Sequence, residues 1–315
     1  MKERTLVKRK TIELLREAYG KYGIAAFNVF NAEQIHGVFA GASQSARPVI
    51  LQITPVAQGY MNEKFLEAMI NAAHEVYGHV EFSVHLDHGN FETCNRAIET
   101  GFYDSVMIDA SAEPFEKNIR ITSQVVQRAH EGGIAVEAEL GILGGKEDED
   151  TQGPEKGRYT NPDQAAEFVG RTNCDSLAVA VGTSHGAYKL EGEEGLNFSI
   201  LERIQTLLPR YPLVLHGASG VPLDEISRIN DAGGKLSSKA RGITTEQLLK
   251  AVRHGITKVN VATDTRLLWT RVHREFFKGS PELFDLVLPG RIYMEELRNF
   301  VRQKCESLIL ENHEN

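Results

Sequence analysis

Residues 82–89 carry the side chains in this chain that are best suited to chemistry. An apolar run there ends in two imidazoles, His85 and His88, and the carboxylate of Asp87, before a glycine that lets the backbone turn. Neutral imidazole is the commonest ligand of zinc and similar divalent ions, and a nearby carboxylate that stays off the metal can transfer protons. The pattern predicts a buried strand whose C-terminal end offers both groups, although hydrogen-bonded structural histidines would also fit it. His85 lies on the same side of the strand as Asp87, which favours a supporting or packing role.

Two further apolar runs also lead to a histidine followed by glycine. Residues 177–184 precede His185, and residues 213–215 precede His216. Parallel strands end at one edge of a sheet, so three imidazoles would meet there, and three protein ligands are what an open catalytic zinc site requires. We therefore predict that His88, His185 and His216 bind one metal ion. The alternative is that they are unrelated core or capping histidines.

The composition favours a protein that binds neither nucleic acid nor a membrane. The net charge is −8, no run of about 18 apolar residues occurs, and the N-terminal residues lack the apolar core of a signal peptide. Three cysteines, Cys94, Cys174 and Cys305, have no paired spacing, as expected in a reducing compartment. We expect a cytoplasmic protein.

Strand-like and helical patterns alternate along the chain. The apolar runs lack the polar alternation of an antiparallel sheet, and a hydrophobic content of 41% is ample for one core. The alternation predicts one α/β domain over 1–315, a (β/α)₈ TIM barrel with a C-terminal helical segment at about 278–315. A doubly wound open sheet is the alternative. Strands are predicted near 24–28, 49–53, 81–86, 104–108, 134–138, 177–181, 213–216 and 256–261, and helices near 33–46, 61–77, 91–100, 114–131, 163–170, 197–208, 244–254 and 263–277.

Two stretches depart from the repeat. Residues 141–161 begin with glycines and continue into a charge run, which is typical of a solvated loop and also of a mobile lid over a catalytic face. Residues 231–242 are inserted before the last predicted barrel helix, and the sequence assigns them only as a surface excursion.

Glycines and hydroxyls after the last two strands favour phosphate binding. Backbone amides can approach an oxyanion closely at such turns, and barrels often hold phosphate after strands seven and eight. Ordinary turn glycines and a threonine cap are the alternative. The candidate phosphate residues are Gly217, Ala218, Ser219, Asn260, Val261, Ala262 and Thr263.

Two more carboxylates follow predicted strands. Asp109 ends one apolar run and Glu139 ends the next. Each could be a helix cap or an ion-pair partner, and the functional alternative is a second metal position on the same rim.

These motifs together resemble the class II, metal-dependent ketose-bisphosphate aldolases, a family that includes fructose- and tagatose-bisphosphate enzymes. The resemblance covers about Ala25 to Thr265. It rests on Ala26-Phe27-Asn28, His85-Leu86-Asp87-His88-Gly89, Met107-Ile108-Asp109, Glu137-Ala138-Glu139-Leu140-Gly141, Gly144-Gly145-Lys146-Glu147-Asp148, Gly182-Thr183-Ser184-His185-Gly186, His216-Gly217-Ala218-Ser219-Gly220 and Lys258-Val259-Asn260-Val261-Ala262-Thr263.

The resemblance implies roles for individual residues. It implies that Asp87 serves the substrate hydroxyl, that Glu147 on the 141–161 loop handles the carbon-bound proton, and that Asn260 takes part in catalysis. It implies a catalytic Zn²⁺ on the three histidines, with Asp109 and Glu139 at positions that hold a second metal in some members, and it allows a monovalent cation. Further implied substrate contacts are Asn28, Thr54 and Gly186.

The implied reaction is reversible cleavage of a ketose 1,6-bisphosphate to dihydroxyacetone phosphate and glyceraldehyde 3-phosphate. Fructose 1,6-bisphosphate is the preferred substrate, with tagatose 1,6-bisphosphate or another phosphorylated ketose as the alternative. Ala218 and residues 260–263 look like the tagatose type, whereas residues 233–242 and 264–266 look like longer fructose-type members. A Schiff-base mechanism would need a buried lysine, and Lys258 is the only weak candidate.

Two other classes of protein remain possible readings of the chain. A metal-dependent hydrolase on the same barrel usually has a His-x-His pair on its first strand, which residues 27–30 lack. A non-catalytic aldolase-like subunit is expected to have lost its metal ligands, yet all three histidines are present.

Arg291 is the last candidate, placed beyond the barrel and just before the C-terminal helix. It could be an ordinary surface arginine. The resemblance implies instead that an arginine of this region grips the distal phosphate of the substrate, often across a subunit boundary, which would make the protein a homodimer or homotetramer.

Overall fold

Eight parallel strands close into a barrel in the computed structural model, which describes residues 8–145, 157–185, 195–238 and 242–310, with only the backbone at 145, 184 and 185. The strands are β1 (Ile24–Asn28), β2 (Val49–Ile53), β3 (Phe82–Gly89), β4 (Ser105–Ile108), β5 (Ala135–Leu140), β6 (Gly144–Gly145), β7 (Ser176–Val179), β8 (Ser184–His185), β9 (Leu213–Leu215) and β10 (Ile256–Val261). All except β6 and β8, which pair with each other, belong to the barrel. Because β1 pairs with β10, with Ala26 opposite Asn260, the sheet has no open edge. The predicted (β/α)₈ barrel is confirmed, and the alternative prediction of a doubly wound open sheet is wrong.

Helices surround the barrel and connect its strands. They are α1 (Thr11–Ala18), α2 (Ala32–Ser45), α3 (Pro55–Met61), α4 (Glu63–Val76), α5 (Phe91–Thr100), α6 (Phe115–Glu131), α7 (Pro162–Thr172), α8 (Phe198–Leu207), α9 (Leu223–Asp231), α10 (Thr245–Arg253), α11 (Thr263–Gly279) and α12 (Val287–Ser307). Among the described residues, no helix is long and apolar enough to cross a membrane.

Polar caps start several helices that follow the strands. The side chains of Asn31, Thr54 and Asn90 each accept a hydrogen bond from a backbone amide in the first turn of α2, α3 and α5. A cap of this kind contributes about 1 kcal/mol to the stability of its helix, and it fixes where the chain turns away from the barrel rim. The predicted helix over 61–77 is α4, and the short helix α3 before it was not predicted; Asn62, with a φ of +67°, separates the two.

Alternate residues of the strands face two different layers. On β3, Val84 and Leu86 pack in the main hydrophobic core beneath the helices, and the polar residues between them lie on the opposite side, inside the barrel. Helix α1, which the sequence did not predict, packs Leu14 and Leu15 against Ile24 of β1. The core thus leaves the polar, chemically useful side chains of the strands pointing inwards.

The C-terminal helix α12 packs against α2. A side chain at Gly41 of α2 would come within 2.6 Å of both the carbonyl oxygen of Arg298 and Cβ of Val301, so glycine is needed for this close approach. The predicted C-terminal helical segment is therefore present, with its helix over Val287–Ser307. Cys94, Cys174 and Cys305 are all unpaired and buried.

Candidate active site

Asp87 is fully buried near the end of β3, and amide groups bind both of its carboxylate oxygens. Nδ2 of Asn28, the last residue of β1, donates to Oδ2 at 2.8 Å, and Nδ2 of Asn260 on β10 donates to Oδ1 at 3.3 Å. Gln52 on β2 donates to Oδ1 of Asn28 at 2.8 Å, which fixes the direction of that amide. Three strands therefore hold one carboxylate in a set orientation.

The pKa of the Asp87 carboxyl lies below its ordinary value. Burial alone would raise this pKa, but attraction to His88, Lys258 and His216 and the hydrogen bond from Asn28 outweigh burial. The group is consequently an ionised carboxylate that can accept a proton from a bound molecule.

His88 and His216 meet beside Asp87. Nε2 of His88 lies 2.8 Å from Nδ1 of His216, although 128 residues separate them along the chain. His88 has a φ of +50°, a left-handed conformation that is uncommon in residues other than glycine and tends to occur at functional sites. Ligand atoms of Asp87, His88 and His216 all lie within 4.8 Å of one another, so a metal ion on the two imidazoles would lie beside the carboxylate.

Two buried charges lie behind His216, and the sequence analysis assigned neither to a metal site. Oε1 of Glu137 on β5 is 2.8 Å from Nε2 of His216, and Nζ of Lys258 on β10 is 2.9 Å from Oε2 of Glu137. The two-residue period of a strand could have indicated Glu137, because it places that residue on the same face as Glu139. Nothing local in the sequence pairs it with Lys258.

The predicted second carboxylate pair also lies close to His88. Ligand atoms of His88, Asp109 and Glu139 lie within 4.8 Å of one another, and Oδ2 of Asp109 is 3.0 Å from Nδ1 of His88. Oδ1 of Asp109 accepts hydrogen bonds from the amide and hydroxyl of Ser111 at 3.1 and 2.8 Å. Burial would raise the pKa of Asp109, but the bonds from His88 and Ser111 hold it well below its ordinary value.

The glycine-rich turn after β9 is tied to the start of α11. The carboxylate of Asp264 accepts hydrogen bonds at 2.8 Å from the amides of Gly220 and Val221. Both amides therefore point towards Asp264, and phosphate binding by the earlier residues of the turn, 217–219, stays a prediction.

The insertion at 231–242 ends against this turn. A side chain at Gly242 would come within 2.2 Å of the backbone of Gly220, and the amide of Ile243 donates to the carbonyl of Ser219 at 3.1 Å. The last residue of the insertion is therefore more than a surface excursion, since its backbone supports the turn directly. Residues 239–241 lie outside the described part of the chain.

Other predicted site residues are distributed as follows. Thr54 is buried and caps α3, so its hydroxyl accepts from the amide of Ala57 at 3.2 Å. Val261 ends β10, and Ala262 and Thr263 form the start of α11. The backbone of His185 lies in β8, opposite Gly145 and six residues beyond the end of β7, so His185 does not end a barrel strand as predicted. The side chain of His185, together with Gly186 and Glu147, lies outside the described residues.

Arg291 is not placed as the sequence predicted. It lies inside α12, in the second turn, and its side chain is exposed. The expectation that the helix begins after Arg291 is wrong, because Pro289 sits in the first turn, where its missing amide hydrogen is not needed.

The donor set of the rim suits a divalent metal ion. Two imidazoles and neighbouring carboxylates are the ligands that zinc and related ions use, and Glu137 accepts from Nε2 of His216, which turns Nδ1 of that ring towards His88.

Comparison with known proteins agrees with this chemistry. The chain matches the family model described as "Fructose-bisphosphate aldolase class-II" over residues 9–313. The chain belongs to this family.

Individual relatives extend the match over nearly the whole chain. The chain is 44% identical to fructose-bisphosphate aldolase of Giardia intestinalis, covering 88% of this chain and 86% of the relative. It is 41% identical to fructose-bisphosphate aldolase of Thermus caldophilus, covering 94% and 95%.

Solved structures match the fold as well. A putative fructose-1,6-biphosphate aldolase from Coccidioides immitis has a TM-score of 0.79 at 27% identity, covering 95% of this chain and 96% of that one. The YdjI aldolase from Escherichia coli K12 has a TM-score of 0.74 at 30% identity, covering 96% and 97%.

Membership of this family makes the protein an aldolase of the metal-dependent class that acts on a sugar phosphate. The Schiff-base alternative is not favoured, because Nζ of Lys258, its one candidate in the sequence, lies 2.9 Å from a carboxylate oxygen of Glu137 in an ion pair. The expectations of a hydrolase or of a non-catalytic subunit are not favoured.

Proposed function

We propose that this aldolase reversibly cleaves fructose 1,6-bisphosphate to dihydroxyacetone phosphate and glyceraldehyde 3-phosphate at the rim around Asp87. One observation carries the proposal above others. A buried, ionised carboxylate is held by Asn28 and Asn260 directly beside the ring nitrogens of His88 and His216. A proton acceptor and a metal-binding pair at one point are what the cleavage of a carbon–carbon bond next to a hydroxyl needs.

Different residues at the rim would bind the metal and transfer the proton. His88, His185 and His216 would hold the metal, and when bound it would supply Lewis-acid stabilisation for the negative charge that develops on the ketone oxygen. Asp87 would take the proton of the C4 hydroxyl as the bond breaks, in the orientation that Asn28 and Asn260 impose.

The proton that completes the reaction at carbon would come from another group. Glu147 has this role by the family resemblance, and a carboxylate on a loop that closes over the substrate would protect the intermediate from solvent. The turn at 217–219 and the start of α11 at 260–263 would bind phosphate.

Fructose is the proposed sugar because the relatives are named as fructose-bisphosphate aldolases. The relatives from Giardia intestinalis and Thermus caldophilus are both named as fructose-bisphosphate aldolases. The tagatose-like residues, Ala218 and 260–263, do not outweigh this agreement.

Zinc is the proposed metal, since imidazole ligands with an open position favour it. The group of His88, Asp109 and Glu139 supports a second divalent position. The monovalent cation, the cytoplasmic location and the single domain over 1–315 stay predictions.

Release of triose phosphate from purified protein tests the proposed function. Fructose 1,6-bisphosphate should be cleaved faster than tagatose 1,6-bisphosphate, a strong chelator should stop the reaction, and added zinc should restore it. Full activity after complete metal removal, or a substrate adduct trapped by borohydride, would contradict the metal mechanism. Faster cleavage of tagatose 1,6-bisphosphate would contradict only the sugar assignment.

We also propose that the aldolase is at least a homodimer. The segment before and at the start of α12 exposes a run of large apolar side chains, and Phe284 and Leu286 are 98% and 86% exposed. Monomers rarely leave such a contiguous apolar patch in water, so the patch supports contact with a second copy. Arg291, exposed on the same part of α12, would then reach a phosphate in the partner's site.

Substituting Arg291 with alanine should raise KM for fructose 1,6-bisphosphate far more than KM for fructose 1-phosphate, because only the bisphosphate carries the distal phosphate. Arg302→Ala on the same helix, where the side chain pairs with Glu306, is the matched control and should change neither KM. Equal effects of Arg291→Ala on both substrates would remove Arg291 from the site. A monomer by light scattering would refute the contact across subunits.

A further inference from the structure

Inside the barrel, a chain of three side chains runs from a buried lysine to a metal-site histidine. Nζ of Lys258 is 2.9 Å from Oε2 of Glu137, and the other carboxylate oxygen, Oε1, is 2.8 Å from Nε2 of His216. Lys258 is 0% and Glu137 2% exposed. Burying a charge pair is costly, and apolar side chains could fill the same space without that cost, so the pair is not explained by stability alone.

We propose that Glu137 fixes the tautomer of His216 that binds metal, and that Lys258 holds the Glu137 carboxylate in place for this purpose. The inference rests on the proposed function, because it concerns how the same site is prepared for its metal. Both residues act through His216 and are positioning residues.

The direction of the hydrogen bonds leads to one tautomer. A carboxylate only accepts, so Nε2 of His216 must carry the ring proton and Nδ1 must present its lone pair. The facing ring of His88 agrees with this assignment. Nδ1 of His88 lies 3.0 Å from the carboxylate of Asp109, so the same rule leaves the lone pair of that ring on Nε2, which faces Nδ1 of His216 at 2.8 Å, as two ligands of one metal ion would. Nδ2 of Asn260 is 3.2 Å from Nδ1 and 3.3 Å from Nε2 of His216 and favours neither tautomer.

The remaining neighbour of Glu137 does not disturb this arrangement. His85 has its Nε2 3.6 Å from Oε2 of Glu137, which is beyond a normal hydrogen bond, and its Nδ1 is 2.7 Å from the hydroxyl of Ser105. Thr11 of α1 contacts the same hydroxyl at 2.8 Å. His85 therefore packs under the pair and leaves Lys258 as the group that sets the carboxylate's position.

Lys258 also determines what a neutral replacement of Glu137 would do. An ammonium group can only donate, so in Glu137→Gln the amide oxygen should turn towards Lys258 and the amide NH₂ towards Nε2 of His216. That arrangement favours the opposite tautomer, with the proton on Nδ1, and opposes metal binding. Removing the ammonium group as well, in Glu137→Gln/Lys258→Met, frees the amide to turn round and accept from Nε2 again.

Zinc transfer from the loaded, full-length protein to a chromophoric chelator tests this logic. Glu137→Gln should weaken zinc binding by about 10- to 100-fold, the usual effect of losing a group that orients a metal ligand. The double variant should bind zinc more tightly than Glu137→Gln, although it carries one more substitution in the core. Thr11→Val, which also removes a buried polar group, the hydroxyl on α1 that contacts Ser105, is the control and should leave zinc affinity unchanged.

A second measurement does not depend on affinity. In zinc-loaded protein labelled with ¹⁵N-histidine, the ring proton of His216 should reside on Nε2. A proton on Nδ1 would overturn the inference, and so would a double variant that binds zinc no better than Glu137→Gln. Either result would leave the proposed function standing if the unsubstituted protein still loses its activity with its metal, so the two ideas fail separately.

Discussion

Replacing His216 with alanine should remove the metal and lower kcat for fructose 1,6-bisphosphate by about 10³-fold or more. A bound metal stabilises developing charge by several kcal/mol, and each 1.36 kcal/mol corresponds to a factor of ten in rate. His216 is fully buried and lies within hydrogen-bond distance of His88, Glu137 and Asn260, so its loss would leave the rim without one of the two imidazoles that the structure brings together. Metal content by elemental analysis should fall together with activity.

A matched substitution separates metal loss from damage to the barrel. His85→Asn also removes a fully buried imidazole from the inside of the barrel. The His85 ring is hydrogen-bonded to Ser105 and is not one of the proposed metal ligands. This variant should keep its metal. Loss of metal in both variants, together with a lowered Tm, would indicate a packing defect, and retained metal in His216→Ala would remove that residue from the site.

The barrel could be predicted because its strands are buried on both faces. Continuous apolar runs such as 177–181 and 213–216 differ from the helical patterns around them, and their number and spacing leave few architectures open. The ends of strands were less certain. The run leading to His185 was read as one strand, but β7 ends at Val179, and Gly182 with a φ of +110° breaks the extended backbone before β8.

The site could be predicted only where chemistry is local in sequence. Asp87 and His88 stand side by side, and the end of a parallel strand is where a barrel places such residues. The partners that orient them come from other strands. Asn28 contacts Asp87, and Lys258 contacts Glu137, because β1, β3, β5 and β10 curve around one axis. No local sequence pattern predicts which inward side chains face each other across the barrel.

Helices that depend on tertiary contacts were also missed. Helix α1 has only eight residues, too few to be stable alone, and it forms because Leu14 and Leu15 pack against Ile24. The start of α12 was placed too late because Pro289 and Gly290 look like a helix boundary. Proline within the first turn is compatible with a helix, and Tyr293 and Leu297 bury the face that follows.

Replacing Asp87 with alanine should lower kcat by about 10² to 10⁴ while the metal stays bound, the range typical for a lost acid–base group. The histidines that would bind the metal remain, and the amides of Asn28 and Asn260 lose only their acceptor. Asp87→Asn keeps the size of the side chain and removes the base, so it should be impaired to a similar extent, which separates proton transfer from packing. Turnover and metal content should be measured on the same samples. If Asp87→Asn cleaved fructose 1,6-bisphosphate within tenfold of the unsubstituted rate, a different group would have to take the C4 hydroxyl proton, and the buried carboxylate would serve only to hold Asn28 and Asn260 in place.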